Sequence, residues 1–370
     1  MAKKGVTGML ACVFMSLGLA LGCVDPEEGG GGSVSGTSLY VFDASYDASD
    51  NTQCRILVYS DVAALFEDTA IQPARKMSGT IIERVRDLAW GGMCFDANGN
   101  RLYLVSETGT IVRIERARLQ NGNIENQLDI VSFRLGTSSD RLSSGKFGQA
   151  FIDSRGANLY VTEANATDTQ IWVVPATYPL NPSNRIQIDD DKGGTGVAAT
   201  SDGAVYAYFD DGGNTTISGV TYAGPRLKRG TSSGFQRDSS MIIGQANNNR
   251  TELAKYGCLA LDNSGNVFMA RHLADAGIGS GNAVLMFTPG QFNPGLNQAP
   301  SASFANIGNL RVISHAVTKD WLVGSQSDSD YGRNIVMMWR SPSLGASVQA
   351  NSFIVSPYAS IRGLALDGRN

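Results

Sequence analysis

Residues 361–370 (IRGLALDGRN) open a unit that the chain repeats elsewhere, and the segments that would complete this copy lie at the opposite end of the sequence. The full unit is clearest at residues 92–107 (GMCFDANGNRLYLVSE) with 109–115 (GTIVRIE): an apolar strand, an Asp-x-x-Gly turn, a second strand and a third. Asp at the turn can bond the turn backbone and Gly accepts positive φ, so the punctuation has a mechanical reason. The pattern returns at 148–153 with 158–163 and 170–174, at 196–203 with 204–208, at 257–262 with 265–270 and 283–287, and more weakly at 314–320 with 321–324 and 334–339. Its starts, Gly92, Gly148, Gly196, Gly257, Ser314 and Gly363, stand roughly 50 residues apart, a spacing at which repeats build propellers or solenoids. The sixth start has only a first strand and turn, whereas residues 38–43 (SLYVFD) and 54–59 (CRILVY) read as a second and third strand lacking a first. Sharing one repeat between both ends closes a ring and removes its open edges, which a solenoid has no reason to do. The expected fold is all-β: a six-bladed β-propeller closed by N- and C-terminal strands.

Composition agrees with this reading. The chain has 43 Gly and 12 Tyr, with 42% hydrophobic and only 17% charged residues, which suits many short strands and tight turns. A net charge of -4 with scattered Lys and Arg offers no footprint for a polyphosphate, so no nucleic-acid partner is expected.

The first residues read as an address. Lys3 and Lys4 precede an apolar run from Val6 to Leu21 that is short for a bilayer span, as in a signal peptide. Ala20-Leu21-Gly22-Cys23 resembles the bacterial lipobox, which implies cleavage before Cys23 and acylation of that residue. Acyl chains anchor at about 0.8 kcal/mol per buried methylene, so no transmembrane helix is required. The expected organisation is a signal peptide over 1–22, an acylated Cys23 with a Gly-rich tether over 23–36 (EEGGGGSVSG at 27–36), and the propeller over 37–370. Val24 rather than Asp after Cys23 resembles signals sorted to the outer membrane.

The Leu-Tyr-Val-x-Asp/Glu strands and Asp-x-x-Gly turns resemble those of the six-bladed NHL-repeat, gluconolactonase-like and paraoxonase-like propellers. That resemblance spans nearly all of residues 38–370. It implies fold, and for the latter two groups a metal held by Glu, Asn and Asp from separate blades. Glu163 and Asp43 stand where two such ligands would be, without a matching Asn.

By the same resemblance, the ends of second strands and the starts of inner strands ring a central mouth. Candidate ligand-binding residues there are Asp43, Glu107, Glu163, Asp210, Arg271, His272, His315 and Arg362, with Ser106, Trp90, Gln149, Tyr256, Ser325 and Gln326 nearby. His272 and His315 are the only histidines, on adjacent blades, without a carboxylate or thiol at ligand spacing. Residues 189–196 and 327–332 resemble calcium loops only faintly and read as exposed turns. Cys54, Cys94 and Cys258 have no partner at disulfide distance in the expected ring, so buried free thiols are expected.

The function expected is that of a membrane-anchored, monomeric binding or scaffolding propeller in the cell envelope, acting without a cofactor on a protein or glycan. Recognition would use the long loops 61–78, 212–249 and 274–281. The alternative is a calcium-dependent lactonase- or lyase-like hydrolase with its site at the mouth.

Overall fold

A computed structural model describes residues 36–45, 54–125, 130–177, 184–188, 196–209, 214–217, 220–223, 226–235, 240–242, 258–271, 283–292, 300–305, 312–327, 334–342, 350–356 and 359–368. In chain order, β1 (Leu39–Asp43), β2 (Arg55–Tyr59), helix α1 (Val62–Glu67), β3 (Arg75–Ser78) and helix α2 (Thr80–Glu83) form the N-terminal part of one blade and its flanks. The next blade contains β4 (Leu88–Asp96), β5 (Arg101–Ser106), β6 (Thr110–Ile114) and β8 (Ile130–Arg134). The two-residue β7 (Gly122–Asn123) instead pairs in parallel with β3. The third blade is β9 (Lys146–Ile152), β10 (Asn158–Ala164), β11 (Thr169–Pro175) and β12 (Asn184–Ile188).

The fourth contains β13 (Gly196–Ala199), β14 (Ala204–Phe209), β17 (Arg226–Thr231) and β18 (Ser240–Ile242), and carries the hairpin β15 (Asn214–Ile217) and β16 (Val220–Ala223). The fifth is β19 (Leu259–Leu261), β20 (Val267–Arg271), β21 (Ala283–Phe287) and β22 (Ala302–Ala305). The sixth is β23 (Val312–Val317), β24 (Trp321–Ser327), β25 (Asn334–Arg340) and β26 (Ala350–Ser356). Strand β27 (Ile361–Leu366) then pairs antiparallel with β1, Val41 opposite Leu364, as the innermost strand of the blade that β1 to β3 continue. The chain is a six-bladed β-propeller, and its ring is closed by the expected pairing of head and tail. The inner strands touch in the order β27, β4, β9, β13, β19, β23 and back to β27.

Each interface between blades has its own core, and strand alternation explains how. Successive side chains of a strand point to opposite sheet faces, and here both faces meet a neighbouring blade. In β1, Tyr40 and Phe42 pack with Leu88, Met93 and Phe95 of the next blade, while Leu39 and Val41 pack with Val323 and Met338 of the sixth. Both sets are buried, so the strand reads as a continuous apolar run. Three large examples, Trp172, Phe268 and Tyr208, lie in three further interfaces. At about 1.5–3 kcal/mol for each fully buried large side chain, these six cores hold the ring.

Two sequence expectations need correction. The repeat predicts three strands, but each blade has a fourth, outer one; β8, for instance, is only partly buried, with half-buried Val131 and Phe133 alternating with exposed Ser132 and Arg134. The supposed long loops are also structured: 61–78 contains α1 and β3, and 212–249 contains β15 to β18. Loop 274–281 lies outside the described residues, as do residues 1–35 with the Cys23 anchor. Among the described residues no helix is long and apolar enough to cross a membrane.

Candidate functional site

The six inner strands enclose a cavity of about 620 Å³ on the side where they turn into the second strands, and every blade contributes to its lining. That size lies within the usual range for ligand pockets. Its rim is the set of repeat turns, including exposed Ser154, Ser201 and Asn263, and its depth includes buried Met93, Gln149, Leu259 and His315. An innermost strand has one edge without a ladder partner, so its peptide groups are available to whatever occupies the centre.

The rim is built by one device used six times. Asp153 accepts from the backbone N–H groups of Ala157 and Asn158 at 2.8 and 3.1 Å. Asp262 accepts from Ser264 and Asn266 N–H at 2.9 Å each, and its other oxygen from the Asn266 amide at 2.7 Å. Asp96 accepts from Asn98 and Gly99, Thr200 from Ala204, and Thr318 from Trp321. Asp367 completes the set by accepting from Ser38 N–H at 2.9 Å, so the chain ends reproduce the turn without a peptide link. Glycines with positive φ, Gly156, Gly203, Gly265 and Gly368, follow four of these side chains.

The floor is crossed by Gln149. Its amide oxygen accepts from Val197 N–H at 3.0 Å and Leu259 N–H at 2.7 Å, and its amide nitrogen donates to Leu259 O. One side chain of the third blade thereby ties the fourth and fifth together across the axis. Gly91 approaches from a bulge in β4 with φ +71°, and a Cβ there would overlap the Cys258 sulfur and lie 3.3 Å from Gln149 Cγ.

His315 also borders the cavity. Its Nε2 lies 3.1 Å from the Phe268 carbonyl, which assigns the proton to that nitrogen, while Nδ1 is buried without a hydrogen-bond partner. Burial lowers its pKa from the usual 6.5 to about 4, so the ring is neutral at neutral pH.

Most of the described residues expected at a mouth lie at the other end of the inner strands, and the acids there have partners. Asp43 is fully buried; Oδ1 accepts from Ser45 and Ser360 N–H, and Oδ2 pairs with Arg55 at 3.0 Å. Glu163 is 1% exposed and accepts from Leu142 N–H at 3.1 Å, Trp172 Nε1 at 2.8 Å and the Gln170 amide. Glu107 pairs with Lys146 at 3.2 Å and Arg362 at 3.4 Å, and the Arg362 guanidinium stacks 5.2 Å from the Trp90 ring centre. Arg271 ends β20. Asp210, His272, Tyr256 and most of both calcium-like stretches, 189–195 and 328–332, lie outside the described residues.

Of the named candidates, His315 alone borders the cavity, together with Gln149 from the neighbouring set. The acids Asp96, Asp153 and Asp262 open the Asp-x-x-Gly turns of the repeat, and that repeat is the sequence signal that finds the rim. Cys54, Cys94 and Cys258 are buried free thiols, as expected.

No family model matches the sequence, and no curated protein matches it. In structure the chain is similar to TolB from Acinetobacter baumannii, with a TM-score of 0.50 and 12% identity over 91% of this chain and 68% of that one. At that identity the likeness carries the propeller fold and nothing of activity.

Proposed function

We propose that this chain is an envelope lipoprotein, tethered through acylated Cys23 to the outer membrane, whose propeller binds or scaffolds a partner without transforming it. The observation that supports this most is the central cavity: all six blades meet there, and its turn carboxylates and hydroxyls are held by the chain's own backbone. Such a surface is preorganised for recognition. Within the propellers, we place the chain beside the NHL-repeat group on its strand and turn pattern. We take it to act as a monomer on a protein or glycan of the envelope.

The calcium-dependent lactonase alternative receives less support. A calcium ion takes six to eight oxygen ligands, but both Asp43 and Glu163 are engaged by protein donors and lie in separate buried networks. Among the described residues no three His, Cys, Asp or Glu side chains are grouped to hold a metal.

Fractionation of cells expressing Cys23→Ser tests the anchor: the variant should leave the membrane fraction, and unchanged partitioning refutes acylation there. A lactone-hydrolysis screen of the full chain, with and without calcium, should stay at background. Calcium-dependent turnover abolished by Asp43→Ala would overturn the binding reading.

A further inference from the structure

The chain enters the propeller on the face where the central cavity opens. Ser38 N–H donates to Asp367, and Gly368, the next residue, lines the cavity. Thr37 O accepts from Val62 N–H at 2.9 Å, and Gly36 sits against the Asp61 carboxylate, where an added Cβ would lie 2.7 Å from Oδ1. The backbone is thus held at this face as far as Gly36. Thirteen residues, 24–36, join Cys23 to Thr37. A chain of that length spans about 45 Å at most, and a Gly-rich one has a root-mean-square span of about 20 Å. Bringing the opposite face onto a bilayer that holds Cys23 would send this segment outward over β2, β3 and β7 and then down the blade. Strands of five to seven residues, spaced about 4.8 Å from their neighbours, make that path roughly 35 Å. The interfaces between blades are packed cores, so no shorter route passes through the ring. The cavity-bearing face, by contrast, is reached with the segment relaxed.

A second observation comes from the neighbouring blade. Residues 115–121 leave β6 at Ile114, opposite Leu102, at the end of the blade that carries the Asp96 turn. Arg118 fixes them beside the clasp. Its N–H donates to Asn100 Oδ1 at 2.9 Å, and its guanidinium bonds Ala97 O at 3.1 Å and both the carboxylate and the carbonyl of Asp367. The same guanidinium lies 5.1 Å from the Phe95 ring centre. The next residue, Leu119, bonds Arg116 O through its N–H at 2.8 Å, yet its side chain is 58% exposed, and Arg116 is exposed too. A single exposed leucine is ordinary on a protein surface. This one is held firmly beside the point where the chain enters, with an arginine next to it, and that pairing suits the boundary between headgroups and acyl chains.

We infer that the propeller stands on the bilayer with its cavity-bearing face toward the lipid and residues 116–119 against the phospholipid headgroups. This rests on the reading of Cys23 as acylated. The acyl chains supply the affinity, while the reach of residues 24–36 and the contact of Leu119 and Arg116 supply the orientation. It also narrows the partner: the cavity opens toward the membrane, so what it receives is a group presented at the bilayer surface.

The test reconstitutes the acylated full chain in vesicles of phosphatidylethanolamine and phosphatidylglycerol that carry a headgroup-labelled acceptor lipid. Cys54, Cys94 and Cys258 are buried and acylation blocks the Cys23 sulfur, so a maleimide donor reports an introduced thiol. Ser154→Cys and Ser138→Cys place that thiol at exposed positions beyond the two ends of the same inner strand, β9, with Ser154 on the cavity rim. Energy transfer to the lipid from position 154 should exceed that from position 138 at least twofold. A polarity-sensitive dye on Leu119→Cys should emit further to the blue in these vesicles than on the unanchored chain that also carries Cys23→Ser.

All three positions are exposed, so the labelled variants should keep the wild-type denaturation midpoint. Equal or reversed transfer, or an unshifted dye at position 119, in a chain that still floats with the vesicles overturns the orientation and leaves the anchor standing. Failure of the wild-type chain to float, or equal flotation of Cys23→Ser, removes the acylation reading and the orientation with it.

Discussion

Ser38 and Asp367 clasp each other across 329 residues of sequence: Ser38 N–H donates to the Asp367 carboxylate at 2.9 Å, and Asp367 N–H donates to Ser38 O at 3.1 Å. The same backbone pairing occurs within continuous turns, from Asp153 N–H to Asn158 O and from Asp262 N–H to Asn266 O. The ends of the propeller are thus a repeat turn with its covalent link removed. A second grip comes from Arg118, which reaches the other Asp367 oxygen at 3.3 Å and the Asp367 carbonyl at 2.9 Å.

Asp367→Ala removes the acceptor for Ser38 and the counter-ion of Arg118, whose side chain is only 12% exposed. Orphaning a largely buried charge and a donor together should destabilise the fold by about 2–4 kcal/mol. Asp367→Asn retains an acceptor for Ser38 and should cost less. Denaturant midpoints of the two variants check the order; equal midpoints would mean that the clasp contributes nothing beyond the strand pairing of β27 with β1.

Glu163→Ala should cost about 3 kcal/mol or more, because Trp172 Nε1, the Gln170 amide and Leu142 N–H all lose their acceptor in a buried setting. Glu163→Gln should also destabilise, since its amide donor would face donors. Neither change should alter ligand binding at native temperatures, as Glu163 lies away from the cavity. A selective loss of binding with the midpoint retained would return this residue to a functional role.

These two acids show what was legible in the sequence. Asp367 was readable because its turn partner is a local rule repeated six times, and the broken copy at residues 361–370 announced its completion at 38–43. Glu163 also stood at a strand end, but its partners Trp172, Gln170 and Leu142 come from a neighbouring strand and a separate loop, and no spacing rule reveals them. Acids at the two ends of a strand look alike until such partners are known, so the resemblance-based mouth and the observed cavity lie at opposite ends of the inner strands. The outer strands escaped for another reason: in β8 half-buried Val131 and Phe133 alternate with exposed Ser132 and Arg134, an alternation of only five residues that is too short to stand out from the loops around it.

Gly91→Ala should destabilise the ring by about 3 kcal/mol. Its φ of +71° disfavours any side chain, by about 1 kcal/mol, and the added methyl would meet the Cys258 sulfur and Gln149 Cγ. Cys258→Ala in the same chain removes the nearer obstacle and leaves the backbone term. The double variant should therefore recover part of the loss, a coupling that a double-mutant cycle reads directly. Strict additivity would show that the bulge of β4 moves clear of Cys258 when it carries a side chain.

His315 gives the fold a pH dependence of defined sign. In the unfolded chain it titrates near 6.5, whereas burial lowers the native value to about 4. Above 6.5 both states are neutral and the residue contributes no pH dependence. As pH falls from 6.5 toward 4, the unfolded chain takes up a proton that the native state refuses, so stability drops by up to about 1.4 kcal/mol per pH unit, on the order of 3 kcal/mol in all. His315→Gln keeps a donor for Phe268 O and cannot titrate, so its denaturant midpoint should fall less steeply over that window. Carboxylates titrating in the same range affect both proteins alike, and the difference between the two profiles isolates the histidine. Parallel profiles would mean that the native ring protonates as readily as the unfolded one, and that the unpartnered Nδ1 has access to water or an acid that stabilises its charge.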